Sequence, residues 1–338
     1  MIFRLSGILL FFTLSLSVFG QDYQFSQFYA LPQYYNPAFV GSNLNTRFTT
    51  GYRNQWTGLQ GWPGWVGAFD VYMKNMSSGA GLYISNNKIN ALGFSQNLVM
   101  GQYAYRGKFN SKIRISSGIG IGFGQLTNSM NGKIYGDQLI LDPVSQTTID
   151  PLAGKTLQAS YFDLQIGFLV YTQKWWASIS ALHPHSPKVG LEIESFIDPR
   201  INISGGYRFE MKKPADYKGE ISPNAITPAI LLRSQGSASQ LDLGLYVHYV
   251  PFVFGLWYRG LPVHKNKSES LNHDAVTTLL GIKQNNLSIG YSYDINLSGL
   301  VSTLGGSHEI TVTYEFKTKY LTLKSSKPTR GGLPCPSF

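Results

Sequence analysis

The sequence predicts an all-β fold: a single transmembrane antiparallel β-barrel of about fourteen strands, with an N-terminal segment packed in the lumen. Three observations carry that prediction. Charged residues make up only 14% of the 338-residue chain, which holds 36 Gly, 21 Tyr and 20 Phe, whereas an ordinary soluble domain is roughly 25% charged. Past residue 20 no apolar run approaches the roughly 20 residues of a membrane-crossing helix, and mean hydropathy is only -0.08. Apolar residues alternate with small or polar ones along much of the chain, the strand period. A wall with lipid outside and a polar interior gives that alternation, and the two faces cancel in a hydropathy average.

The elements follow in order. Residues 1–20 carry one basic residue, Arg4, then the apolar run Leu5–Phe19, the layout of a secretory signal peptide. No cysteine adjoins Gln21, the expected first mature residue, so a lipoprotein anchor has no attachment point. Residues 21–45 form an aromatic N-terminal segment, including "QFSQFYALPQYYNPAFVG", which has neither strand nor helix period and almost no charge.

Residues 46–317 form the barrel. "KIRISSGIGIGFG" sets Ile115, Ile119, Ile121 and Phe123 against Ser116, Gly118, Gly120, Gly122 and Gly124, and "YFDLQIGFLVYT" sets Phe162, Leu164, Ile166 and Phe168 against Asp163, Gln165 and Gly167. Similar patterns, separated by turn residues, predict strands at Thr46–Trp56, Trp62–Lys74, Gly79–Asn87, Ser95–Arg106, Lys112–Leu126, Leu157–Tyr171 and Lys174–His183. The second half predicts Arg200–Met211, Ala225–Ser234, Gln240–Tyr249, Phe252–Gly260, Ala275–Lys283, Asn286–Asn296 and Ser307–Lys317. Thr127–Thr156 and Pro184–Pro199 read as the long loops. A soluble sandwich or propeller would also alternate. Aromatics near strand ends, Trp56, Trp62, Trp65, Trp175, Trp176, Tyr249 and Trp257, favour a barrel with interfacial girdles. Residues 318–338 are expected to form a periplasmic tail, with Cys335 and Phe338 as its contact points.

Several motifs, in this order, resemble the PorP/SprF family of the type IX secretion system. They are "QFSQFYALPQYYNPAFVGS" with "GYRNQW", then "YFDLQIGFLVYTQKWWASISALH" with Asp163, Gly167, Ser180 and His183. "PAILLRSQ" to "LWYRG" follows with Arg233, Asp242, Tyr258 and Arg259, and last "GYSYDINLSGLVSTLGGSHEITVTYEF" and "CPSF". The resemblance implies an integral outer-membrane protein of a gliding or secreting Gram-negative bacterium, without enzymatic activity. It further implies a partner for export or surface attachment of cargo such as adhesins, or a link to the periplasmic ring. The implied partners are other type IX components (translocon, ring or peptidoglycan-binding proteins) and the secreted cargo. The alternative function is a passive or substrate-specific outer-membrane solute channel.

The chemistry in the residues agrees with a non-enzyme. "ALHPHSP" gathers His183, His185 and Ser186, and "GGSHEI" gathers Ser307, His308 and Glu309, but adjacent strand residues point to opposite faces. His183 and His185 share a face with no third ligand in view, so no metal, cofactor or catalytic residue is expected. The lumen-facing parity carries Arg47, Arg53, Asp70, Arg114, Asp163, Arg208, Asp242, Arg259, Asp294 and Glu309. A net charge of +10 suits outer-membrane lipid phosphates or an acidic partner, and no recognition helix or zinc module points to nucleic acid. The aromatics Phe25, Phe28, Tyr29, Tyr34, Tyr35 and Phe39 would be an aggregation hazard if exposed. They are expected to fold into the barrel as a plug or to bind a partner.

Overall fold

The computed structural model describes residues 22–316, apart from 60, 140–147, 191–194, 215–221, 266–270 and 298–304. The expected signal peptide and the tail with Cys335 and Phe338 lie outside the described residues.

Strands build the wall: β1 (Thr46–Gln55), β2 (Trp62–Met73), β3 (Ser78–Ile89), β4 (Phe94–Lys108), β5 (Arg114–Ser129), β6 (Thr156–Tyr171) and β7 (Trp175–Leu182). They continue as β8 (Arg200–Tyr207), β9 (Phe209–Glu210), β10 (Ala225–Gln235), β11 (Ala238–Tyr249), β12 (Phe252–Lys265), β13 (Leu271–Gln284), β14 (Leu287–Asn296) and β15 (Ser307–Phe316). Apart from β8 and β9, sequence neighbours pair antiparallel, and β1 closes the sheet on β15, with Thr46 opposite Phe316. β8 and β9 lie end to end along β10, so the fifteen segments make a closed barrel of fourteen staves. Among the described residues no helix is long and apolar enough to cross a membrane.

Period-two sequence becomes two opposite surfaces. In β5, Ser116, Gly118 and Gly120 are buried while Ile119, Ile121 and Phe123 are exposed. Around the barrel Phe48, Phe69, Tyr103, Phe168, Ile203, Leu256 and Ile310 face outward as a lipid-facing band. The inward parity packs on the N-terminal segment, and one core joins Tyr23, Phe25, Tyr29 and Tyr35 to Met100, Leu169, Leu231, Tyr246 and Leu279.

The two ends of the barrel differ. Thr46 and Phe316 share one end with the short connections 74–77, 109–113, 172–174, 250–251 and 285–286 and one longer one, 211–224, and the opposite end carries the longest connections, 130–155 and 183–199. Bacterial barrels keep short turns in the periplasm and long loops outside.

Three girdle expectations are corrected, the first being Trp62, which shares the inward parity of β2 with Gly64 and Val66 and packs against the lumen core beside the Tyr23 ring. Trp176 and Trp257 are buried inside, because they sit on the inward parity. Each ring lies over a glycine of the neighbouring strand, Gly206 and Gly244. Nearness to a strand end does not make a girdle residue; parity must also point outward. Trp65 satisfies both and is exposed. Observed strands β3, β4, β12 and β13 also run past the expected ends, because strands continue above the lipid where the alternation loses its apolar half.

Candidate functional site, the occupied barrel lumen

The N-terminal segment threads the lumen from one mouth to the other. Asp22 lies at the long-loop end, where its amide donates to Gln235 Oε1 (3.0 Å). Tyr23 Oη donates to the carbonyls of Arg53 (2.7 Å) and Trp62 (3.0 Å). Pro32 opens a one-turn helix, Pro32–Tyr35, where its missing N–H costs nothing. Asn36 then caps a 3-10 turn, Pro37–Phe39, by accepting the Ala38 amide (2.8 Å). At the short-turn end the Gly41 amide donates to Asp70 Oδ2 (2.8 Å), and the Val40 carbonyl accepts Arg106 Nη2 (2.6 Å).

The segment's aromatics make their polar contacts inside. Tyr35 Oη accepts the Phe25 amide (2.8 Å) and donates to the Phe25 carbonyl (2.5 Å), folding the segment back on itself. The Tyr35 carbonyl accepts Ser180 Oγ (2.6 Å) and Asn202 Nδ2 (2.9 Å), and its ring faces the guanidinium groups of Arg200 and Arg233 at 5.3 and 5.9 Å. Such cation–π contacts strengthen when desolvated.

Room for the segment comes from wall glycines, among them Gly64 under the Tyr23 ring and Gly79 against the Val40 carbonyl. A β-carbon at Gly118 would fall on the Pro37–Ala38 peptide, and one at Gly167 on the Asn36 amide. Gly120, Gly122 and Gly124, on the same parity, instead meet Gln165, the Val99 carbonyl and the Tyr161 ring of the wall itself.

A balanced ion network fixes the segment's first turn to the wall. Arg53 Nη1 donates to Ser26 Oγ (2.7 Å) and Glu309 Oε2 (3.2 Å), and Nη2 to Asp294 Oδ2 (2.7 Å). Arg259 donates from Nε to Asp242 Oδ1 (3.2 Å), from Nη1 to Asp294 Oδ2 (3.0 Å) and from Nη2 to Ser26 Oγ (2.9 Å). Arg233 pairs with Asp242. Three arginines thus meet three carboxylates, and buried charges need that pairing. Glu309 also accepts the Ser26 and Gln27 amides (2.6 and 2.9 Å). A carboxylate on β15 therefore holds the backbone of the threaded segment.

A second cluster clamps the start of the segment. His183 Nδ1 lies 2.7 Å from Asp163 Oδ1 and Nε2 lies 3.0 Å from Asp22 Oδ2, with Arg200 Nη1 3.6 Å from the same Asp22 oxygen. Burial alone pulls the His183 imidazole down, but the two carboxylates more than reverse this and hold it at about 10. Burial likewise pushes the Asp22 carboxyl up, yet His183 and Arg200 keep it well below the usual carboxylate range.

Of the sequence-predicted lumen charges, Arg47, Arg53, Asp70, Asp163, Asp242, Arg259, Asp294 and Glu309 are buried and ion-paired. Arg114 and Arg208 lie on the same parity at the short-turn rim, half-buried. Phe25, Phe28, Tyr29, Tyr34, Tyr35 and Phe39 are all buried. The sequence reading missed Asp22, Arg106, Arg200 and Arg233 as lumen charges. Parity marks Arg106 and Arg233, which follow buried Ala104 and Leu231 by two residues, but nothing in an aperiodic segment marks Asp22. The space left beside Phe28, Tyr35, Phe39, Trp176 and Leu231 is about 20 Å³, room for about one water.

Comparison with known families matches residues 17–314 to the model of the type IX secretion system membrane protein PorP/SprF. The chain belongs to the PorP/SprF family. It is thereby an outer-membrane component of type IX secretion. Among solved structures, this PorP/SprF barrel is similar to the Ralstonia pickettii toluene transporter TbuX (9% identity, TM-score 0.49, 85% of this chain and 94% of that one). It is also similar to the Acinetobacter baumannii outer membrane protein Omp33 (4%, 0.43, 80% and 98%) and the P. putida toluene transporter TodX (11%, 0.43, 83% and 92%). None of the curated proteins compared with it matches.

Proposed function

We propose that this PorP/SprF protein is a closed outer-membrane partner for export or surface attachment of secreted cargo such as an adhesin, and not a conduit. The observation that carries this reading is the occupied lumen. Phe25, Tyr29 and Tyr35 are buried among wall residues, and Glu309, Asp294, Arg53 and Arg259 bind Ser26 directly. A solute path would have to break that ion network, and separating one member of a buried pair costs about 3–5 kcal/mol. A filled barrel offers its rims and outer loops as working surfaces. On this reading residues 1–20 direct export, and the short-turn rim with residues 318–338, including Cys335 and Phe338, faces periplasmic partners such as the ring.

The test is the secretome and surface proteome of a deletion strain. Loss of one exported or surface-displayed protein, restored by the intact gene, supports the partner role. Unchanged export and display together with loss of uptake of a solute would replace it with the channel reading.

A further inference from the structure

The barrel wall is uneven on the long-loop side. β6 has 16 residues and β7 has 8, and their pairing stops at Gln165 opposite Leu182. The His183 amide still donates to the Leu164 carbonyl (3.0 Å). The chain then turns away at φ 53, taking the His183 ring inward to Asp163. β6 keeps its β5 partner as far as Thr156 opposite Ser129. Among the described residues, the one further hydrogen bond on its other side is His185 Nε2 at the Phe162 carbonyl (3.0 Å), and Val189 of the connection after β7 packs on the inner side against Tyr161.

Alternation identifies the backbone groups that face this gap. In an antiparallel ladder both polar groups of a residue point to the same neighbour, and successive residues point to opposite ones. The Leu164 carbonyl is on the β7 side and the Lys155 carbonyl, which accepts the Met130 amide, is on the β5 side. Thr156, Gln158 and Ser160 therefore turn their N–H and C=O groups to the gap. Leu157, Ala159 and Tyr161 stay engaged with β5.

The same strands mark where lipid ends. Outward positions of β6 read Phe168, Ile166, Phe162 and then Ser160, Gln158, Thr156. On β5 the change comes after Phe123, which pairs with Phe162, the two rings 5.6 Å apart. The gap-facing stretch lies above this aromatic level, in water on the long-loop side. It contains no charge and no proline, the devices that guard an edge strand.

We propose that the edge Thr156–Ser160 is a strand-addition site for an extended segment of a second protein at the cell surface, an inference that rests on the secretion reading above. The edge dictates its partner's chemistry. The inner side of an added strand would meet the apolar cluster of Leu126, Tyr161 and Val189, and the outer side the hydroxyls and amide of Thr156, Gln158 and Ser160. The segment therefore alternates apolar and polar residues. A second copy of this chain does not fit. Barrel strands tilt by about 35–45°, so two β6 edges brought face to face in one membrane cross at about 70–90° instead of lying side by side.

The experiment uses full-length protein in cells with a photocrosslinking residue at Thr156, alone and combined with Gln158→Pro and Ser160→Pro. Proline there removes gap-facing N–H groups and leaves the β5 ladder intact. The expected adduct is with the polypeptide that a deletion strain fails to display, and the double-proline variant lowers both adduct and display by about tenfold or more, the loss of two backbone hydrogen bonds. Heat-modifiable mobility checks that the barrel has folded. If the proline variant does not fold, Gln158→Lys with Ser160→Lys guards the edge by charge and has the same expected outcome. Full adduct and full display in the folded variant would overturn the strand-addition site, as would an adduct only with lipopolysaccharide or with a second copy. Display lost in the deletion strain but kept in the variant overturns the edge alone, whereas display kept in both overturns the secretion reading itself.

Discussion

Ser26 and Glu309 stand 283 residues apart in the chain, and the Ser26 amide donates to the Glu309 carboxylate over 2.6 Å. The contact ties the start of the threaded segment to the last strand, so the segment is in place only when the barrel has closed. Glu309→Ala leaves Arg53 one carboxylate short and two amides without an acceptor. The expected loss is about 3–5 kcal/mol, read as a lower temperature of heat-modifiable unfolding and faster protease cleavage between residues 24 and 41. Glu309→Gln, which keeps an acceptor and loses the charge, is expected to fall between wild type and Glu309→Ala.

Gly118 and Gly120 make a matched pair on one strand. Gly118→Ala forces a methyl into the Pro37–Ala38 peptide, whereas at Gly120 the nearest atoms are the flexible Gln165 side chain and Met100 Sδ, beyond 3 Å. Overpacking costs typically about 1–3 kcal/mol. Gly118→Ala is expected to loosen the segment, with faster cleavage inside it and an intact barrel, and Gly120→Ala to behave nearly as wild type. Equal cleavage in the two variants would contradict the close approach.

The clamp of Asp22, His183, Asp163 and Arg200 makes the hold on the segment's first residues depend on pH. His183 is raised from 6.5 to about 10, so its contribution is complete below pH 6.5 and is lost as pH rises toward 10. Asp22 is depressed from 3.8, so its contribution is present above that value and is lost as pH falls below it. Protease cleavage next to Asp22 is expected to be slowest between these values and to accelerate toward pH 10. His183→Asn removes the titrating group, and its cleavage rate should be high and flat across the alkaline range.

Much of this was legible in the sequence because lipid outside and a packed interior inside impose a strict parity. The alternation in "KIRISSGIGIGFG" places Gly118 inside and Ile119 outside with no further information, and the same rule places Arg53, Asp294 and Glu309 on one surface. What the parity lacks is which inward groups meet across the lumen. That depends on the segment that fills it, whose Asn36 and Tyr35 contacts obey no period. His183 fits no strand pattern for a related reason: it lies one residue past β7 at a positive φ, where the turn and not the pleat sets its direction. Trp176 and Trp257 show the converse case, with composition pointing to a membrane girdle and parity placing both inside.

Planar-bilayer conductance of the purified intact chain, compared with a variant lacking residues 24–41, tests the central claim most directly. The account predicts no stable single-channel current from the intact protein and open, long-lived channels once the segment is removed. Large stable currents from the intact chain, unchanged by the deletion, would contradict it.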